Sequence, residues 1–224
     1  MNKQNLVFFR EFGCAIEPNR GSDGAAGIDF FVPNPTDDCK DALQFMRNKC
    51  LESIKGNNNE DDEAVVIINR FNKYLSINPK RAFLEAVVTY NYRLFGHKYK
   101  LAFPSSTSDQ IHLSPGEGIT IPTGLSADIP QNFAILFQNK SGIASKQDFL
   151  VGACLIDEDY KGIMHINIHN VGDTVRTISC GQKLVQGIII PTFWPMFEVS
   201  CKDGHNTGTS QRGDGGFGST GTTA

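Results

Sequence analysis

The sequence has no long apolar run. None of its 224 residues lies in a stretch approaching the roughly 18–20 apolar residues that a membrane-spanning helix needs, so an integral membrane helix is not expected. Neither sign of charge dominates: 21 Lys and Arg against 24 Asp and Glu give a formal net charge of −3. A general nucleic-acid binder would carry a basic surplus, so that class is not expected either. The cysteines Cys14, Cys39, Cys50, Cys154, Cys180 and Cys201 include no CxxC pair and no Cys/His group at zinc spacing. The opening MNKQNLVFFREFG has one short apolar patch, broken by Arg10 and Glu11, and lacks the apolar core of a secretory signal. The thiols are therefore expected to be reduced and the protein cytoplasmic. No HExxH is present. His165 and His169 lie in the strand-like IMHINIHN, where a spacing of four puts them roughly 13 Å apart, too far for one metal ion. They read as structural. There is no internal repeat, and no strand–helix alternation to build a Rossmann sheet. GDGGFG at Gly213–Gly218 has the GxGxxG spacing, but only STGTTA follows it, with no helix to receive a dinucleotide phosphate.

What is present is abundant glycine and phenylalanine, 22 and 16 residues, unevenly placed. Residues 1–35 read as strand, turn, strand. From Thr36 the pattern turns helical. Leu43, Met46, Cys50, Leu51 and Ile54 recur at helix spacing, with Thr36, Asp37 or Asp38 as N-cap and Gly56 as stop. A polar connector, GNNNEDDE, precedes two more helical runs that meet at Asn78–Pro79. The β-branched run Val65–Ile68 weakens the helical pattern of the first of these. From about Pro104 short β-prone runs return with turn signals every 8–12 residues or so, the mark of an all-β sandwich or barrel. The reading is a mainly β domain of residues 1–35 and 104–203, interrupted by a helical insertion at 36–103. It ends in a flexible Gly-rich arm, 204–224, which holds seven of the 22 glycines.

Four clusters can carry chemistry. In LIDEDYKG, Asp157, Glu158 and Asp159 follow an apolar run. Alternation sets Glu158 opposite the other two, and a carboxylate at a strand end can act as a base or bind a metal. The bland alternative is a solvated hairpin turn. In NKSGIA, Lys140, Ser141 and the Gly142 amide form an anion-binding set, or else an ordinary loop. AAGIDFF places Asp29 at a strand entry, where it could equally be a turn aspartate. In the arm, Arg212, Phe217, Ser219 and Thr220 offer a guanidinium, an aromatic platform and hydroxyls among glycines. A disordered tail would otherwise suffice to explain that composition.

The order of these clusters is more specific than any one of them. AAGIDFF, NKSGIA, GACLIDEDYKG, CGQKLVQGI and RGDGGFGSTG resemble the five ordered motifs of the trimeric dUTPase family. The resemblance covers residues 1–35 and about 104–224. It implies a distorted, jelly-roll-like β-barrel, a homotrimer with shared active sites, and Mg²⁺-dependent hydrolysis of dUTP to dUMP and pyrophosphate. By similarity Asp157 activates the attacking water, and Asp29 holds Mg²⁺ through water. Lys140, Ser141, Gly142, Gln186, Arg212, Ser219 and Thr220 meet the phosphates. The uracil and deoxyribose fall to the hairpin around Cys154, Asp157, Tyr160 and His165, with Phe217 and Gly218 of the arm closing over them. No stable nucleic-acid or membrane partner is implied. The pattern departs from the family's at Lys140, where Arg is usual, and at Gln182, Lys183 and Gly187 in the fourth motif. Most members also lack an insertion like 36–103, which could bind a protein partner. The lysines resemble those of phage and viral members and point to such an origin, with the host cytoplasm as the place of action. A dCTP deaminase of the same fold, an interaction protein using this fold as a switch, and a capsid β-protein are the rival readings.

Overall fold

The computed structural model describes residues 5–57, 59–96 and 109–195. The arm residues Arg212, Phe217, Gly218, Ser219 and Thr220 lie outside the described residues.

Among the described residues twelve strands and four helices follow in chain order: β1 (Val7–Arg10), β2 (Asn19–Arg20), β3 (Ile28–Phe31), α1 (Lys40–Glu52), α2 (Glu60–Tyr74), α3 (Pro79–Phe95), β4 (Gln110–Leu113), β5 (Gly118–Pro122), β6 (Leu125–Asp128), β7 (Phe133–Asn139), α4 (Ser141–Gln147), β8 (Phe149–Val151), β9 (Leu155–Ile156), β10 (His165–Asn170), β11 (Arg176–Ser179) and β12 (Lys183–Pro191). Every strand pair is antiparallel. The largest sheet has the order β2-β3-β12-β7-β9, and a second has β5-β10-β8. A mainly β description is too narrow. Helices of 13, 15 and 17 residues stand between β3 and β4, so the architecture is mixed with substantial β. Among the described residues no helix is long and apolar enough to cross a membrane.

The helical segment has clear local causes. α1 buries Ala42, Leu43, Met46 and Cys50, one stripe at helical spacing. It starts later than Thr36–Asp38 would place it, at Cys39, which makes no side-chain cap; Asp38 instead accepts from the Lys40 amide at 2.6 Å. The acids Glu60–Glu63 form the first turn of α2 and are not part of a connector, and there they complement the positive helix end. Because Ile67 turns inward with Phe71 and Tyr74, the β-branched run is accommodated in a helix. Pro79 opens α3 at its first turn, where its missing N–H costs nothing. Asn78 caps it, accepting from Lys80 at 3.0 Å and Arg81 at 3.4 Å.

These helices share one hydrophobic cluster with the strands. Phe83, Leu84 and Met46 are buried in the same core as Phe12, Phe30, Ile121 and Phe137. Full burial of each large apolar side chain contributes about 1.5–3 kcal/mol before entropy is counted. The helical segment therefore packs on its own subunit. Asn91 of α3, fully buried, fixes the junction. Its amide donates to the Thr120 carbonyl and its carbonyl accepts from the Thr120 amide, both at 2.8 Å. β5 pairs with β10 on one side only. Asn91 thus supplies on the other edge the pairing that a further strand would give.

A candidate active site in two halves

The first half lies on the largest sheet. Asp29 of β3 stands opposite Gln186 of β12, and Gln186 stands opposite Gln138 of β7. Lys140, just past the end of β7, brings its ammonium to Asp29 from the same row. Lys183 of β12 reaches the other carboxylate oxygen at 3.1 Å, its ammonium lying 5.4 Å from the centre of the Phe31 ring. Asp29 is 5% exposed. Burial alone would push its pKa up, but hydrogen bonds from Lys140 and Lys183 outweigh it and hold the carboxyl below the ordinary carboxylate range. Two ammoniums around one carboxylate leave a surplus positive charge, which suits an anionic ligand. Gln186 donates to the Asn139 carbonyl at 2.9 Å, and Gly27 leaves room for its side chain where any Cβ would collide with it.

Lys140 leads into α4, a helix that no periodicity or cap in the sequence marks. Ile143 and Ala144 donate to the Lys140 carbonyl at 3.0 and 2.8 Å. Ser141 and Gly142 before them are exposed, with their amides outside that bonding pattern. Lys140, Asp29 and Gln186 are thus brought together, and Ser141 and Gly142 adjoin them in sequence.

The second half is a cavity of about 190 Å³ lined by Phe137, Cys154, Asp157, Tyr160, Met164 and His165, among others. It is smaller than the usual ligand pocket of about 300–1,000 Å³ and of a size to hold one ring. Asp157 lies exposed just beyond β9 and makes no ion pair among the described residues. Its neighbour Glu158 accepts from the Asn132 amide with its carboxylate and from the Lys161 ammonium with its backbone carbonyl, the latter at 3.2 Å. The Cys154 carbonyl accepts from the Phe137 amide at 2.7 Å. Tyr160 donates to the Ile163 carbonyl at 2.8 Å, and burial raises its pKa despite the nearby Lys49 ammonium. Burial also pushes the His165 imidazole down to about 4, so it is neutral at pH 7.

The two halves do not meet within one chain. In the order β3-β12-β7-β9, three strand spacings separate Asp29 from the strand that leads to Asp157. The register adds an offset along the strands, since Asp29 aligns with Gln138 while Ile156 pairs with Ile135. At about 4.8 Å per spacing and 3.3 Å per residue, the carboxylates stand roughly 15–20 Å apart.

Sequence reasoning missed several contributors. It named Lys183 only as a departure from a motif, although its ammonium pairs with Asp29. Phe45 and Tyr90 of the helical segment both pack on His165. Among the described residues no group of three metal-ligating side chains occurs, and His169 bonds Asn167 at 3.2 Å. A larger cleft of about 540 Å³, lined by Arg176, Gln147 and Gln182, holds none of the inferred site residues.

An antiparallel β-fold bearing a lysine-flanked carboxylate on one face and a ring-sized, acid-edged pocket on another has the parts of a nucleotide-binding enzyme. The comparisons narrow the class. The dUTPase family model matches residues 103–221. Deoxyuridine 5'-triphosphate nucleotidohydrolase of Brucella melitensis is 36% identical over 118 residues, covering 50% of this chain and 71% of that protein. Its namesake in Roseobacter denitrificans is 33% identical over 113 residues, covering 50% and 72%. The fold resembles the dUTPase of Staphylococcus bacteriophage 80alpha with dUPNHPP (TM-score 0.58, 17% identity, 98% of this chain and 100% of that one). It also resembles the phage phi11 dUTPase of S. aureus, whose structure visualizes a species-specific insert (TM-score 0.51, 16% identity, 88% and 96%). The chain belongs to the dUTPase family. Asp29 and helices α1–α3 precede the segment that the family model matches.

Proposed function

We propose that the two half-sites are parts of one dUTP site, assembled between copies of this chain in a homotrimer. Membership in the family makes the chain a dUTP diphosphatase. The observation that carries the composite site is the separation of Asp29 from Asp157 on opposite sides of β12 and β7. A second copy, turned by the trimer axis, supplies the half that each chain lacks.

In this reading Asp157, exposed at the rim of the ring pocket, orients and deprotonates the water that attacks the α-phosphate. The products are dUMP and pyrophosphate, which limits uracil in DNA and supplies dUMP. Uracil occupies the cavity. The backbone of Cys154, whose carbonyl accepts from the Phe137 amide, reads one base edge, with the backbone near His165 as the second reader. Tyr160 packs on the deoxyribose and leaves no space for a 2′-hydroxyl. On the other half, Lys140, Ser141, Gly142 and Gln186 hold the phosphates. The arm supplies Arg212, Ser219 and Thr220 to the phosphates, and Phe217 with Gly218 to the base.

The donor set fits Mg²⁺. Among the described residues no group of three ligating side chains occurs, and Asp29 has an ammonium on each oxygen, so most of the ion's ligands would be phosphate oxygens and water. Bound there, the ion would neutralise charge on the phosphates as pyrophosphate leaves. Asp29 would hold it through water while Lys140 and Lys183 keep the carboxylate ionised.

Turnover of the purified protein on dUTP, dCTP, dTTP and UTP tests this reading. We expect kcat/KM for dUTP to exceed the others by at least about a hundredfold, since buried polar groups matched to one base reject its analogues strongly. Equal turnover of the four, or ammonia release from dCTP, would contradict it.

A further inference from the structure

The helical segment reaches the wall of the ring pocket. Tyr90 of α3 is 4% exposed and lies parallel to the His165 imidazole, with ring centres 6.0 Å apart and planes 8° apart. The phenol oxygen is 3.0 Å from His165 Nε2. Phe45 of α1 lies 6.4 Å from both rings and closes the stack.

The direction of the Tyr90–His165 bond follows from hydrogen-bond logic. His165 is neutral and carries a single ring N–H. The Ile163 carbonyl, which can only accept, also acts on the imidazole and draws the N–H toward it. With Nε2 facing Tyr90, the N–H is on Nδ1, and Tyr90 must donate to the Nε2 lone pair. The Ile163 carbonyl accepts a second bond, from the Tyr160 hydroxyl at 2.8 Å. A Cβ at residue 162 would meet that hydroxyl at 2.7 Å, so glycine there gives the phenol its place. One chain of bonds thus runs from Tyr90 through His165 and the Ile163 carbonyl to Tyr160.

We propose that Tyr90 is a positioning residue for sugar discrimination: it fixes His165 in one tautomer, His165 fixes the Ile163 carbonyl, and that carbonyl aims the Tyr160 ring. The proposal rests on the reading of Tyr160 as the deoxyribose wall. Filling the core requires only the aromatic ring of Tyr90; aiming Tyr160 requires the hydroxyl. Without it Nε2 loses its donor and the imidazole is free to change tautomer or turn. The helical segment is then part of the specificity apparatus and not only a buttress.

Tyr90→Phe keeps the ring stack and removes the one oxygen. We expect kcat on dUTP to stay within about twofold and the thermal midpoint within a few degrees. The ratio of kcat/KM for dUTP over UTP should fall about three- to tenfold, the scale of one lost hydrogen bond. A folded variant with an unchanged ratio overturns the proposal. Should Tyr90→Phe fail to fold, ¹⁵N spectra of the His165 ring in the unmodified protein at pH 7 decide. The Nδ1–H tautomer supports the proposal, and the Nε2–H tautomer or an imidazolium overturns it. The unmodified protein separates the two levels of inference. If it does not prefer dUTP to UTP, the reading of Tyr160 fails and this proposal with it. If it does, and Tyr90→Phe prefers dUTP equally, only the role of Tyr90 fails.

Discussion

Asp157→Asn will lower kcat on dUTP by about 10²- to 10⁴-fold while dUTP still binds, the range that a positioned general base contributes. The amide keeps the size of the carboxylate and most of its hydrogen-bonding reach but cannot take a proton. Asp157 is exposed beside the ring pocket and makes no ion pair among the described residues. The substitution therefore breaks no structural contact seen there, and the thermal midpoint should move little. Asp29 is the contrast. Buried and bonded by two ammoniums, it would leave Lys140 and Lys183 unbalanced if neutralised, so its loss mixes stability with phosphate binding. Steady-state kinetics with a separate dUTP-binding titration checks the Asp157 prediction. An unchanged kcat removes Asp157 from the role of base.

Deleting residues 210–224 should lower turnover by about 10²-fold or more if, as proposed above, Arg212 meets the phosphates and Phe217 the base. A guanidinium on a departing phosphate and a cover that excludes water act mainly on the transition state. The loss should therefore appear in kcat as well as in KM. The segment lies beyond β12, the last strand of the described fold, so the oligomer should persist in size-exclusion chromatography. Full activity in the truncated protein would show that the arm is not a lid.

The local elements were legible where local physics decides them. The helical stripes of α1 and α3, the Asn78–Pro79 helix start and the strand runs from Gly118 onward all follow from periodicity and capping. α4 was not legible. Ser and Gly are poor helix formers and Lys140 supplies no side-chain cap, so no local signal marks it. Asp29 could be singled out from its motif, but its pairing with Lys183 depends on β12 returning beside β3, which no local pattern encodes. The same limit hid what the helical segment rests on. Asn91 meets Thr120 across 29 positions of sequence, and Tyr90 meets His165 across 75. Such contacts are properties of the topology, and only the assembled fold displays them.

In the proposed trimer one site takes Asp29 from one subunit and Asp157 from another. Mixing Asp29→Asn and Asp157→Asn, each first shown to fold, to form oligomers and to lack turnover alone, decides whether this is so. The two proteins are unfolded together, refolded at equal amounts and assayed on dUTP. Random assembly into rings gives one site in four both native carboxylates, so about a quarter of the activity of the unmodified protein should return. If both carboxylates of a site came from the same chain, every site in the mixture would carry one of the two lesions. Activity no higher than that of the separate variants, from a mixture shown to contain hetero-oligomers, would contradict the account.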